Sequence, residues 1–422
     1  MIKKLMATQS DHLRINRERL EADFEALSQI GSTGDGGVHR PALSPAHLEA
    51  RAWLRERIAA AGLEFRQDGA GNHSAYLNCG PPGAKTLLLG SHLDSVPNGG
   101  RFDGALGVLA ALEALRVIKE ANLSLKFNLE AIDFTDEEGT LVGLLGSSAL
   151  AGKLTPEALQ KPRGGRERLE AGLARAGLSE HGLLNAGCKT GSLAGYLEVH
   201  IEQGPRLLDA GADIGIVSAI VGIGSLQLAF LGRADHAGTT PVPDRLDAAQ
   251  GASAFALAAR EIILESFPAC VANVGSMRFT PGAFNIVPAR VELSLEFRAP
   301  DEESFQRLEA SLLDRAQAEA RHYGLGLEVE HMGRHQPAPM HTDIRQAIQQ
   351  ACTSMGLKSM PLASGAGHDP QSLAGLCPVG MFFIPSIGGA SHSPREFSRW
   401  DDCVNGANVL LQAALRLAKT EN

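Results

Sequence analysis

Side chains able to bind metal or move protons sit at the ends of several apolar runs in this sequence. In GSHLDSVPNGGRFDG (90–104) the run Thr86–Leu89 leads to His92 and Asp94, and a turn rich in Gly, Pro and Asn leads on to Asp103. The pattern predicts a buried strand ending at His92 and a helix beginning at Asp103–Gly104. His92 then suits a metal, Asp94 can orient its other ring nitrogen, and Asp103 can bridge two ions. LKFNLEAIDFTDEEGT (125–140) predicts a strand that delivers Asp136, Glu137 and Glu138 at its C-terminal end. Three adjacent acids are costly to hold together unless a cation compensates them. GYLEVHIEQGP (195–205) supplies His200 at a third strand end, and PSIGGASHSPREFS (385–398) supplies His392 after a fourth.

Together these groups match a two-metal site. Two imidazoles for one ion, one for the other, a bridging Asp and a terminal carboxylate would hold two ions about 3.5–4 Å apart. One Glu of the pair Glu137–Glu138 then stays unligated and can act as general base on a water between the ions. Ligand logic leaves open which of the two it is.

The elements that must carry these groups read as α/β, because strands alternate with helices and the polar groups fall at strand ends. Helices are expected over 11–31, 45–62 and 105–120, with a hairpin over 62–79. After Gly211 the texture changes: strands at 214–222 and 225–238, a helix at 244–265, strands at 271–277 and 286–297, and a helix at 301–322 suggest a compact α+β insert. The α/β texture returns with a strand at 325–332, a helix at 341–356, a strand at 379–385 and a final helix at 400–418.

At 422 residues the chain predicts two domains. A net charge of −9 with no basic stripe argues against nucleic acid, and KPRGGRER (161–168) reads as a solvated helix face. Six cysteines without a CxxC pair form neither a zinc ribbon nor a disulfide framework, so reduced thiols in the cytoplasm are expected. No apolar run reaches 18 residues, so no membrane span is expected. MIKKLMATQSDHLRIN lacks the apolar core of a signal peptide, and Met6 could serve as the start in place of Met1. VGIGS (221–225) is a lone GxG leading into a strand, which sets a dinucleotide enzyme aside.

Seven ordered motifs carry a resemblance over nearly the whole chain: GSHLDSVPNGGRFDG, DFTDEEG, LEVHIEQGP, GRADHAGTTP, FNIVPARVELSLEFRAPD, SGAGHDPQSLAG and PSIGGASHSPREFS. The chain resembles the hydantoinase/carbamoylase amidases of the di-zinc exopeptidase and aminoacylase superfamily. The resemblance implies a catalytic domain over 1–212 and 329–422, a mixed sheet flanked by helices, with an inserted α+β lid and dimerisation domain over 213–328. It implies His92, Asp103, Glu138, His200 and His392 as ligands of two divalent ions per subunit (Zn, or Mn, Ni or Co), Asp103 bridging, and Glu137 as the base. It further implies a homodimer in which His236 reaches the partner's site and stabilises an oxyanion. Asn285 and Arg298 would grip a substrate carboxylate, and Gln203, Gly367 and His368 would complete the pocket.

The implied activity is hydrolysis of an N-carbamoyl-L-amino acid to the amino acid, CO2 and ammonia. Allantoate amidohydrolase and β-ureidopropionase are the alternatives with the same chemistry. A non-catalytic binding protein on this fold is remote, since it predicts a broken ligand set. Two departures bear on substrate fit: TTPVPDRLDA where the family usually has Met after TTP, and TLVG and GSSALAG after DEEG where it tends to show an aromatic and an Arg.

Overall fold

The structure is a computed structural model, and it describes residues 12–419. The choice between Met1 and Met6 as start lies outside them. The chain divides into two compact units. One comprises Met1–Ser218, Met340–Leu362 and His368–Asn422; the other comprises Ala219–Pro339 and Ala363–Gly367.

In chain order the first strands are β1 Glu64–Gln67, β2 His73–Leu77, β3 Thr86–His92, β4 Asn128–Phe134, β5 Leu193–Ile201 and β6 Ile214–Ile220. The second unit adds β7 Gly222–Leu231, β8 Val271–Thr280, β9 Arg290–Ala299 and β10 Gly326–His335. After these come β11 Ala338–Pro339, β12 Ser359–Ser364 and β13 Val379–Ile384. The large sheet runs β1-β2-β4-β3-β5-β13-β6. Its centre, β4-β3-β5-β13, is parallel, whereas β2 and β6 join it antiparallel. This is an α/β sheet, as the spacing suggested, and the mixed, helix-flanked one that the resemblance implied.

The helix Ala105–Glu120 is the hub of the first core. Every residue from Ala105 to Ile118 is buried; nearly all are apolar, and the two charged ones, Glu113 and Arg116, are paired with Arg19 and Asp23. It packs on the sheet at Gly107, where a Cβ would come within 2.6 Å of Ser91 and 2.7 Å of the Val199 carbonyl. Helices Arg17–Gln29, Thr342–Met355 and Trp400–Leu417 add their apolar faces to the same core. The first of these starts at Asn16, whose side chain accepts the Arg19 amide, rather than at residue 11. An N-cap of this kind ends the competition between turn and helix.

The second unit is a four-stranded antiparallel sheet, β10-β7-β9-β8. Helices Ala248–Ser266 and Glu302–His322 cover one face, around Phe230, Phe255, Phe297 and Phe305. The sequence reading bounded this segment at 213–328 and gave its last strand to the catalytic domain. Pairing corrects both edges: β6 hydrogen-bonds to β13 in the large sheet, and β10 to β7 in the small one. Strand β12, in a stretch for which the sequence suggested no element, pairs with β6. No helix among the described residues is long and apolar enough to cross a membrane, and all six cysteines are free.

Candidate metal centre

The expected ligands gather at the carboxyl ends of β4, β3, β5 and β13, four neighbours in the parallel part of the sheet. That is where open α/β sheets place their ligands. His92 ends β3, His200 lies one residue before the end of β5, Glu137 and Glu138 follow β4, and His392 follows β13. Asp103 comes at the start of the hub helix. Gly104 makes this possible: its φ is +65°, and a Cβ there would lie 2.5 Å from the His92 ring.

Asp103 presents its two oxygens to two different groups. Its Oδ1 lies 3.1 Å from His200 Nε2 and 3.5 Å from His92 Nε2; its Oδ2 lies 3.6 Å from His392 Nε2. His392 Nε2 is in turn 3.4 Å from Glu138 Oε2. Among the described residues three groups are placed to hold a metal ion: Glu198–His200–His368 and, beside it, the two triads that share Asp103, His92–Asp103–His200 and Asp103–Glu138–His392. Glu137 belongs to neither, though its Oε2 lies 3.5 Å from His92 Nε2.

The donor set fits divalent cations. His92 Nδ1 and His200 Nδ1 each meet a backbone carbonyl, of Asp94 at 3.0 Å and of Ile201 at 2.9 Å. A proton on each Nδ1 leaves both Nε2 atoms unprotonated beside Asp103, that of His200 accepting the Gly104 amide at 3.2 Å. His92 Nε2 and Glu138 Oε1 are buried without a hydrogen-bond partner. Burial holds Glu137 and Glu138 well above the carboxylate range, each against the pull of His92. Burial alone would lower His92, but Glu137 and then Asp103 outweigh it and raise the imidazole well above its ordinary value. The cluster therefore carries more negative charge than its own side chains offset and compensates by holding protons, which a cation displaces.

The neighbouring acids have structural tasks. Asp94, expected to orient the other ring nitrogen of His92, meets Nδ1 through its backbone carbonyl. The Asp94 carboxylate accepts the amides of Glu137 and Glu138, at 3.2 and 3.3 Å, so it fixes the backbone of that pair. Asp136, at φ +57°, turns away and accepts the amides of Leu141, Val142 and Gly143. Of the three consecutive acids, it folds the following loop.

Gln203 Nε2 donates to Asp103 Oδ2 at 2.7 Å. His368 is buried with its ring 4.6 Å from that of His200 and its Nε2 unpartnered. These residues all belong to the first unit, whereas His236, Asn285, Arg298 and Gly367 belong to the second. There, Ala237 donates to the Asn285 carbonyl at 3.0 Å, and His236 bridges to Ile286, so the DHAG and FNIVP segments run side by side. His236 is exposed, and its Nδ1 accepts the amides of Gly238 and Thr239. The proton is therefore on Nε2. Arg298, on β9, donates Nε and Nη2 to Glu296 Oε1 and Nη1 to the Gly365 carbonyl.

Sequence reasoning missed four buried groups around the cluster: Glu198, Tyr196, Asp369 and Glu396. Glu198 and Tyr196 share the His200 face of β5 by strand parity, which was a usable signal. Glu198 accepts from Ser91 Oγ and Tyr196 OH, at 2.7 and 2.8 Å. Asp369 opens a helix of only five residues, Asp369–Leu373, and Glu396 lies in an irregular segment, so in neither case does spacing carry a direction.

Residues 88–416 match the family described as Peptidase family M20/M25/M40. An N-carbamoyl-L-amino acid amidohydrolase of Geobacillus stearothermophilus is 36% identical over 409 residues, covering 96% of this chain and all of the relative. A ureidoglycolate hydrolase of Arabidopsis thaliana is 34% identical, covering 96% of this chain and 87% of its own. The crystal structure of an amidase of the hydantoinase/carbamoylase family from Burkholderia multivorans superposes with a TM-score of 0.86 at 32% identity, covering 97% and 99% of the two chains. The chain belongs to peptidase family M20/M25/M40, on its hydantoinase/carbamoylase amidase branch.

Proposed function

We propose that the protein hydrolyses the ureido C–N bond of N-carbamoyl-L-amino acids, consuming one water and releasing the amino acid, CO2 and ammonia. The observation that carries the chemistry is the divided Asp103 carboxylate, with one oxygen toward His92 and His200 and the other toward His392. The substrate class is supported by the 36% identical relative. His92 and His200 would hold one divalent ion, Glu138 and His392 the other, with Asp103 common to both; zinc, manganese, nickel and cobalt all suit such nitrogen and oxygen donors. Bound ions would supply Lewis acidity to the carbonyl and acidify water near pH 7.

The chain's own groups do the rest in this reading. Glu137 takes the proton of the attacking water and returns it to the leaving nitrogen. Its place beside the cluster but outside both triads supports the role. His236 donates from Nε2 to the developing oxyanion, which suits the tautomer its Nδ1 contacts require. Arg298 has three donors engaged and keeps one on each terminal nitrogen, an edge matched to the two oxygens of the substrate carboxylate. Asn285, Gln203, Gly367 and His368 complete the pocket. The second unit acts as lid and dimerisation domain in a cytoplasmic homodimer, with His236 serving the partner's site.

Ammonia release from protein reloaded with Zn or Mn tests the reading, with N-carbamoyl-L-amino acids, allantoate, ureidoglycolate, β-ureidopropionate and dipeptides as the panel. Turnover of the carbamoyl amino acids, abolished by a chelator and restored by metal, is the expected result. Turnover of allantoate or ureidoglycolate alone would keep the residue roles and overturn the substrate.

A further inference from the structure

Glu396 stands four residues after His392, on the irregular segment between β13 and the last helix. It is 4% exposed, and each carboxylate oxygen accepts. Oε1 takes the consecutive amides of Phe102 and Asp103, at 2.9 and 3.0 Å; Oε2 takes the Ser391 hydroxyl at 3.0 Å. The same hydroxyl lies 3.1 Å from Asp103 Oδ2, so its single proton can serve either carboxylate. Room for the clamp comes from Gly100, where a Cβ would sit 2.0 Å from the Glu396 carboxylate.

The histidines of the two triads are held very differently. His92 and His200 are 1% exposed, lie within strands, and are locked through Nδ1 to backbone carbonyls. His392 is 51% exposed and lies outside every strand. Its φ of +53° is a left-handed conformation that a non-glycine residue keeps only where its surroundings impose it. Burial does not impose it. Both flanks of His392 are instead tied to the loop that carries the shared carboxylate, Ser391 through Asp103 Oδ2 and Glu396 through the Phe102 and Asp103 amides.

We propose that Glu396 is a positioning residue of the metal centre, which sets the affinity of the Asp103–Glu138–His392 position and leaves His92–Asp103–His200 nearly untouched. This rests on the ligand reading above. Removing the acceptor frees two buried amides and lets the His392 segment drift from Asp103. Such outer partners typically govern metal affinity by about 10- to 100-fold.

The test is titration of metal-stripped full-length protein with Zn2+ against a chromophoric chelator, with thermal unfolding of each stripped variant alongside. Wild type should bind two ions. Glu396→Ala should weaken one of them roughly 10- to 100-fold and the other little. Glu396→Gln, whose Oε1 still accepts both amides, should stay within a few-fold of wild type. Glu396→Asp keeps the charge and pulls the oxygens back by one methylene, so it should weaken the same single ion; it serves if the alanine variant does not fold. Wild-type affinity for both ions in the Ala and Asp variants would overturn the inference. So would equal weakening of both ions, or a Gln variant as impaired as Ala. A wild-type protein that binds fewer than two ions would overturn the ligand reading along with it.

Discussion

Arg51 Nε and Asp133 Oδ2 lie 2.8 Å apart with side chains 2% and 0% exposed, and this sealed ion pair braces the metal end of the sheet. The remaining guanidinium donors reach the Gly71 carbonyl and Thr135 Oγ1, both at 2.9 Å. Asp133 Oδ1 accepts the amide of Leu93, directly after His92. A buried pair gains little net stability from its charges, but breaking one leaves the other uncompensated. Asp133→Ala is expected to cost roughly 3–5 kcal/mol in urea unfolding. A loss below about 1 kcal/mol would show the site wet enough to solvate Arg51 alone.

Glu137 can be replaced without removing a member of either triad. Glu137→Gln should lower kcat by about 10²- to 10⁴-fold, the span of a general acid–base group. Bound metal and unfolding midpoint should match wild type, since Gln is isosteric and the Asp94 contact is to the backbone amide. Full turnover in that variant, with metal content verified, would remove Glu137 from the reaction.

How much of this was legible in the sequence depends on what each residue is attached to. His92, His200 and the Glu137–Glu138 pair sit at the ends of regular strands, where a two-residue period fixes side-chain direction and a parallel sheet lines up the ends. Asp103 was readable because a glycine-bounded helix start follows it. Asp94 was readable as a partner of His92, but spacing cannot tell a carbonyl from a carboxylate, and it is the carbonyl that meets His92 Nδ1. Glu396 gave no signal, because an irregular segment has no period and a buried acid in one looks like any solvated charge; Asp369 opens a five-residue helix, too short for a period to give its direction. The domain edges slipped for a related reason. β6 and β7 are separated by Val221 alone, and only pairing tells which sheet each joins.

Acid should destabilise the protein through His47. This imidazole is fully buried, and its Nδ1 accepts the Leu43 amide at 2.9 Å. Burial, and then the Arg51 and Arg40 cations, hold it well below its ordinary value, so the native state keeps it neutral. His73, held down to about 3 by burial and then by Arg51 and Arg55, acts in the same sense. Below about pH 6.5 the unfolded chain binds a proton at His47 that the native chain refuses, so stability falls as pH falls. Above that pH the contribution is complete and flat. Between pH 5.5 and 4.5 the unfolding free energy of wild type should fall faster than that of His47→Gln by about 1.4 kcal/mol per pH unit. Parallel curves in chelator, where the metal ligands titrate alike in both proteins, would show that His47 is protonated in the folded state.

His236 decides whether a subunit is catalytically self-sufficient. It is exposed, its Nδ1 is tied to its own loop, and its Nε2 has no acceptor among the described residues. If Nε2 serves the partner's site, His236→Ala and Glu137→Gln subunits are each inactive as homodimers yet complementary in a mixed dimer. One site of that dimer would combine the intact Glu137 of one subunit with the intact His236 of the other; the second site would lack both. Random exchange of equal amounts makes half of the dimers mixed, so roughly a quarter of wild-type activity should return in a two-fold symmetric dimer. Recovery should track the fraction of mixed dimers measured independently by mass spectrometry. Mixed dimers formed in full without any recovered turnover would mean that each subunit uses its own His236 or none.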